Sequence, residues 1–314
     1  MEYRKPMPDF LRAAAQTPTL QRLKDIGMHC GCQYTDFPVF RNLAPYSRFS
    51  HSLAVARILW DFTGDPIQAM AGLLHDAATP AFSHVVDFLN GDHLTQESTE
   101  EGLDEIVNKD ADLMAALDWI PSEAVTDCGR YPLADCPSPR LCADRLEYTL
   151  SNGIHYGFSR NVQPMYDALV VDVNEDGIEE LVFTSSQAAL DFADMALACG
   201  KVYICDEDRY AMERLSRLLK KALDDNIITL QDLYTDESQV IQKLPTEDWE
   251  SFCRLSRVFR VNGPGDFSYR VAAKKRFIDP FVRDRGRVSA LFPEFKERME
   301  AFCARSQDYY ICAE

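Results

Sequence analysis

Leu73-Leu-His75-Asp76-Ala-Ala-Thr79-Pro-Ala-Phe-Ser-His84 is the stretch on which the reading of this chain turns. Ile67 to His75 is apolar at helical spacing, so the His-Asp pair closes a buried helix. A titratable ring and a carboxylate set together in apolar surroundings cost on the order of several kcal/mol unless something pairs with them. Upstream, Leu53, Val55, Ala56, Leu59 and Trp60 mark another buried helix, which Gly64-Asp65-Pro66 ends. His51 lies at its start. Two such helices packed antiparallel bring His51 beside His75 and Asp76. Asp144, on a helix read from Leu141 to Ser151, is available as a fourth ligand. Two imidazoles and two carboxylates suit one divalent transition metal per chain (Mn, Fe, Co, Ni or Zn) and leave positions open for water and substrate. Taken singly, His51 and His75 read as satisfied core histidines and Asp76 as a helix cap. The set of four does not.

Outward from this stretch, helical periodicity dominates. Thr17-Pro18 followed by Leu20, Leu23 and Ile26 starts a helix, and a loop rich in Gly, Pro and aromatics runs from Gly27 to Arg48. Phe82 to Leu89 reads as a short helix and Asp104 to Trp119 as an amphipathic one. The acidic run Glu97 to Glu105 reads as a solvated helix start. Ala168 to Val173 and Ile178 to Phe183 flank a turn ending in Asp-Gly and predict a β-hairpin. Ser185-Ser186 caps a helical region to about Leu223, and Asp232 to Phe259 is further helix. Asn262-Gly-Pro-Gly265 is a linker, Arg270 to Asp279 a basic strand-like run, and Pro293 to about Arg305 a last helix. The expected class is mainly α: a helical bundle with a small hairpin, about 168–183, within a catalytic core of residues 1–225, then a C-terminal helical and α+β lobe of residues 226–314.

Composition narrows the function classes. With 46% hydrophobic and 26% charged residues, the chain is not a disordered one. No stretch approaches the ~20 apolar residues of a membrane span, and Met1 to Phe10 has no signal-type apolar run. The ten cysteines, spread from Cys30 to Cys312 without a CxxC pair, are expected to be reduced thiols of a cytoplasmic protein. Fifty acidic against 33 basic residues give a formal charge of −17. Such a surface repels nucleic acid and membranes, so an anionic substrate needs a local basic pocket.

The His, His-Asp, Asp pattern resembles the HD superfamily of metal-dependent phosphohydrolases. More narrowly, Thr17-Pro-Thr-Leu-Gln-Arg22, Arg48-Phe-Ser-His51-Ser-Leu, Pro80-Ala-Phe-Ser-His84 and Asp144-Arg-Leu-Glu-Tyr148 are similar to the deoxynucleoside triphosphate triphosphohydrolase branch, which includes the bacterial dGTPases. The resemblance implies that His51, His75, Asp76 and Asp144 bind the metal. It implies that His84 is the catalytic histidine facing the scissile phosphoester, with Asp87 as its orienting partner; an i, i+3 spacing puts both on one helix face. It further implies that Arg48 and Arg145 clamp phosphate, that Tyr148 stacks on the sugar, and that Asn152 stands where the branch has an acidic sugar contact. The chain departs from the branch at Thr79, where a further histidine is usual, and at Met28-His29, where a Gln-Leu pair helps to set sugar selectivity. His93 does not align cleanly with the family's next histidine.

The expected function is therefore hydrolysis of a nucleotide, a (deoxy)nucleoside triphosphate first, by metal-activated water with His84 as general acid. The expected partner is this small-molecule phosphoester, with neither membrane nor nucleic acid, and the resemblance implies a homo-oligomer. The alternative is a nucleotide-sensing or interaction module that has lost catalysis, which Thr79 and Met28-His29 allow. Retention of all four ligands and His84 favours the enzyme. Lys274, Lys275 and Arg276 read either as a solvated face or as a reach toward phosphates or a partner subunit.

Overall fold

The computed structural model describes residues 1–89 and 102–314. His93 and most of the acidic run that ends at Glu105 lie outside them. Helices come first: α1 (Asp9–Ala14), α2 (Pro18–Arg22), α3 (Arg48–Thr63), α4 (Pro66–Leu74), α5 (Val85–Leu89), α6 (Leu103–Lys109), α7 (Ala111–Leu117), α8 (Ala143–His155) and α9 (Gln163–Asp167). The hairpin β1 (Leu169–Val173) and β2 (Glu179–Phe183) follows, then α10 (Ser186–Val202), α11 (Asp206–Asp224), α12 (Glu237–Lys243) and α13 (Thr246–Cys253). The last part alternates: β3 (Val258–Val261), β4 (Ser268–Tyr269), β5 (Phe281–Val282), β6 (Gly286–Arg287), α14 (Val288–Leu291), α15 (Pro293–Ala304) and β7 (Tyr310–Ala313). Among the described residues no helix is long and apolar enough to cross a membrane. All ten cysteines are free thiols.

The helical hairpin α3–α4 is built by its caps. Ser47 and Ser50 form a reciprocal capping box at the start of α3. Asp65 accepts the Ile67 and Gln68 amides at 2.8 and 3.4 Å, and Pro66 at the first helical position needs no acceptor. His51, Val55, Ala56, Ile58 and Leu59 are buried on α3. A Cβ on Gly72 would stand 2.4 Å from the Leu59 side chain, so a larger residue there would make Leu59 give way where the two helices pack.

Two apolar cores result. One gathers α1, α3, α4, α8, α10 and α15 through residues such as Leu59, Leu74, Leu146, Phe192 and Phe302. The other gathers the loop at residues 30–40, Phe82, Val85 and helix α11 with Tyr269 and Ile311. Two small sheets complete the fold, in strand orders β1-β2-β5-β6 and β3-β7-β4. The hairpin is in register from Leu169↔Phe183 to Val173↔Glu179, close to the predicted limits, and β5 pairs parallel to β2. The fold is mainly helical with these small sheets.

Several element limits differ from expectation. The 104–119 segment is two helices, because Asp110 turns out of helical geometry and its carboxylate caps α7 through the Asp112 and Leu113 amides. The region expected to run to Leu223 breaks before Cys205, whose sulfur caps α11. The Asp232 to Phe259 segment holds two short helices and ends in β3, where Val258 and Phe259 pair with Ala313 and Cys312. Arg270 to Asp279 is not a strand: it crosses the molecule without ladder partners between β4 and β5.

Candidate active site

The start of α3, the end of α4 and the first turn of α8 meet. His51 Nε2 lies 3.2 Å from His75 Nε2 and 3.0 Å from Asp144 Oδ1. Asp144 Oδ1 is 3.7 Å from His75 Nε2, and Asp76 Oδ2 is 3.6 and 3.8 Å from the His75 and His51 Nε2 atoms. The opposite ring nitrogens are engaged outward. His75 Nδ1 donates to the Gly72 carbonyl at 2.8 Å. His51 Nδ1 meets Glu147, which also accepts Tyr46 Oη at 2.5 Å and Ser151 Oγ at 2.6 Å. With Nδ1–H directed to a carbonyl and a carboxylate, each ring, once its Nε2 proton is displaced, turns an Nε2 lone pair toward the other ring and toward two carboxylates. This donor set fits a divalent transition metal; His51, His75 and Asp76 offer ligand atoms within 4.8 Å of one another.

The charges agree. Burial opposes charge on His51, but Glu147 and Asp144 outweigh it and lift the ring to about 10. Burial likewise opposes the ionised Asp76, yet Arg48 and the two imidazoles hold it well below the ordinary carboxylate range. Protons on the imidazoles here balance carboxylates that a cation would balance in their place.

Arg48 corrects one step of the sequence reading. The His-Asp pair does not lack a partner: Arg48 Nη1 donates to both Asp76 oxygens at 3.1 and 2.9 Å, and Thr79 Oγ1 donates at 3.1 Å. Arg48 Nε reaches Ser83 Oγ at 3.1 Å. A buried carboxylate is thus paired without a metal. What favours a cation is the facing pair of imidazoles.

His84 Nδ1 bonds Asp87 Oδ2 at 2.9 Å, and Asp87 is 0% exposed. Phe82 and Ser83 before it take left-handed φ of 62° and 51°, a conformation that side-chain-bearing residues adopt at some cost. Burial lowers the His84 pKa; Asp87 works against this, while Arg48 and Arg276 reinforce it. A cavity of about 610 Å³ connects these parts, and every residue proposed from the sequence lines it except Asp87, which stands behind His84. Arg145 is tied to the Arg140 carbonyl at 3.1 Å and to Asp135 at 3.5 Å. Its guanidinium also covers a second acid-thiol group formed by Asp135, Cys142 and Asp144, with Nη1 3.6 Å from Cys142 Sγ. Asn152 Nδ2 donates to Tyr203 Oη at 2.8 Å, and Tyr148 packs edge-on against Tyr203 at 6.3 Å. His29 Nδ1 faces Tyr156 Oη at 3.2 Å, and burial pushes this ring down to about 4.

No family model matches the chain. It is 27% identical over 248 residues to the uncharacterized protein YdhJ of Bacillus subtilis, covering 75% of this chain and 74% of that one. It is 25% identical over 327 residues to the metal-dependent phosphohydrolase cns2 of Cordyceps militaris, covering 93% and 87%. Among solved structures, a phosphohydrolase from Bacteroides thetaiotaomicron superposes with a TM-score of 0.58 at 16% identity, covering 99% of this chain and 97% of that one. The chain has the HD-type metal-dependent phosphohydrolase fold.

Within this HD-type fold, several residues at the site are not singled out by the sequence pattern. Glu147, one turn after Asp144 and 2% exposed, has a readable signal: an acid on the buried face of an amphipathic helix. Lys274 and Arg276 line the cavity, so the basic run does reach the site. Tyr46, Tyr203 and Asp208 are placed there by long-range packing alone.

Proposed function

We propose that this protein is a metal-dependent phosphohydrolase that acts on a nucleotide, a (deoxy)nucleoside triphosphate first. One observation carries the reading: two imidazole Nε2 atoms face each other 3.2 Å apart beside Asp76 and Asp144, in a cavity whose wall also holds His84, Arg48, Arg145, Lys274 and Arg276. In a chain of formal charge −17, Arg48, Arg145, Lys274 and Arg276 bring positive charge to a cavity also lined by Asp76, Asp127, Asp135, Asp144 and Asp208, so a bound cation would complete the local pocket that an anionic substrate needs. His51, His75, Asp76 and Asp144 would hold one divalent cation, of the Mn, Fe, Co, Ni or Zn group. When bound, it supplies Lewis acidity and acidifies a water near neutral pH.

The chain's own residues supply the rest. His84, its Nδ1–H held by Asp87, keeps Nε2 for a proton to the leaving oxygen. Arg145, Lys274 and Arg276 offset phosphate charge, and Arg48 does so while fixing Asp76. Tyr148 and Asn152 line the cavity where sugar and base would lie. Metal analysis of the purified protein, joined to a nucleotide panel read for phosphate, triphosphate and nucleoside, tests this. The expected outcome is about one transition metal per chain and product release that a chelator abolishes. Bound metal with no release from any phosphoester would sink the hydrolase reading and leave a sensing module.

A further inference from the structure

Arg22, the last residue of the Thr17-Pro-Thr-Leu-Gln-Arg22 string, has no task in the reaction just described. It ends α2, is half-buried and does not line the cavity. Its guanidinium is committed to main chain. Nη2 donates to the Ala77 and Thr79 carbonyls, both at 2.9 Å, and Nη1 donates to the Thr235 carbonyl at 2.9 Å. Ala77 and Thr79 open the turn that leads from Asp76 to His84. Two residues before Thr235, the Leu233 carbonyl accepts the Ala81 amide of the same turn at 2.6 Å. The turn is gripped at its start by Arg22 and at its middle by the 233–235 segment, and Arg22 ties the two grips together.

The conformation of the turn requires such a grip. Phe82 and Ser83 take left-handed φ of 62° and 51° immediately before His84. Residues with side chains keep that geometry where their surroundings over-determine it. The two ends of the turn are secured differently. Asp76 is held by Arg48 through two bonds, at 3.1 and 2.9 Å, which do not involve Arg22. Ser83 has a single bond from Arg48, Nε to Oγ at 3.1 Å. Loosening at Ala77 and Thr79 is therefore felt at His84 more than at the metal ligands. The planar guanidinium meets three carbonyls in one fixed fork, which the point charge of a lysine does not reproduce.

We propose that Arg22 is a positioning residue for His84: from outside the cavity it fixes the turn that aims the imidazole at the leaving oxygen. The inference rests on the reading of His84 as the general acid. It makes the start of the chain and the 233–235 segment joint supports of one catalytic side chain.

The test compares wild type, Arg22→Ala and Arg22→Lys, metal-loaded, on a nucleoside triphosphate and on p-nitrophenyl phosphate, with thermal melts setting an assay temperature at which each is folded. Arg22→Ala is expected to lose about 10²-fold in kcat on the nucleotide, the scale of a ~1 Å misplacement imposed from a distance, with KM and metal content near wild type. On p-nitrophenyl phosphate, whose leaving group needs no proton, the loss should be a few-fold. Arg22→Lys should fall between wild type and Arg22→Ala, and carries the same comparison if Arg22→Ala does not fold. Added to His84→Ala, Arg22→Ala should cost little more, because it acts through a group already removed. Equal losses on both substrates, or full additivity with His84→Ala, would overturn the inference and leave Arg22 a structural residue. NMR of histidine-labelled protein follows the His84 ring without any turnover. Its signals should shift or broaden in the Arg22 variants, and unmoved signals would also overturn the inference. Moving signals in a protein whose wild type hydrolyses no phosphoester would overturn the hydrolase reading alone.

Discussion

Glu147 decides which nitrogen of His51 faces the cavity. Its carboxylate takes His51 Nδ1 on one side and Tyr46 Oη at 2.5 Å on the same oxygen, so it fixes the ring and its tautomer from behind. Glu147→Gln keeps the shape but turns an acceptor into a mixed group. Metal affinity is expected to fall ~10–100-fold, the usual effect of losing such an outer partner. Competition with a chromophoric chelator measures it, and unchanged affinity would mean that the carboxylate does not orient the ring. Arg48 is the other residue whose part changes with the structure. Arg48→Ala removes the bidentate partner of the buried Asp76 and leaves it only Thr79 and the imidazoles, which costs up to about 3–5 kcal/mol in the metal-free protein. A bound cation takes over part of that pairing. The loss in melting temperature should therefore be larger with chelator than with metal; equal losses in both forms would show that Arg48 does not act through the Asp76 charge.

At the scale of elements, the proposed chemistry falls on the α4–α5 connection. His75 and Asp76 close α4, Phe82 and Ser83 pass through left-handed geometry, and His84 then meets Asp87 at 2.9 Å. If His84 donates a proton, His84→Ala should lose ~10²–10⁴-fold on a nucleoside leaving group and far less on p-nitrophenyl phosphate, whose leaving group departs without help. The pH profile carries a sign. The protonated ring is the active form, and burial together with Arg48 and Arg276 lowers its pKa, so kcat/KM should fall as pH rises through a value below the ordinary 6.5 of histidine. Asp87 raises that pKa; hence Asp87→Asn should move the falling limb to still lower pH. A limb that stays put would remove Asp87 from this role. Helices α3, α4 and α8 and the hairpin were legible because local periodicity and caps specify them, and their polar residues meet where those elements end. The breaks at Asp110 and Cys205 were not, since a capping side chain inside an amphipathic pattern looks like one more polar position. Strands β5 and β6, two residues each, exist because β2 pairs with β5 from a distance of about a hundred positions, and no local pattern announces them.

Across the whole molecule, the cavity lies where two cores meet, and the C-terminal third completes it. His51, His75 and Asp144 stand on helices of the first core, Cys30 and Met212 belong to the second, and the strandless segment between β4 and β5 brings Lys274 and Arg276 to the wall. That segment is positioned by close approach to α10. A Cβ on Gly200 would stand 2.4 Å from the Arg276 carbonyl oxygen and 3.3 Å from the Phe302 ring. Gly200→Ala adds local helix stability of about 1 kcal/mol, but the obstacle is backbone and cannot rotate away, so the segment must move. The charge on Arg276 acts on both His84 and Tyr148, the residues proposed for the proton transfer and the sugar contact. Three readings should follow in Gly200→Ala. Metal content stays at the wild-type level, because the proposed ligands His51, His75, Asp76 and Asp144 stand on or beside α3, α4 and α8 and not on this segment. KM for a triphosphate rises, because a phosphate-side cation has shifted. The falling limb of kcat/KM moves to higher pH, because Arg276 no longer depresses the His84 pKa. A variant with a raised KM and an unmoved limb would locate the effect in substrate binding alone, and unchanged values of both would show that the C-terminal segment passes the site without serving it.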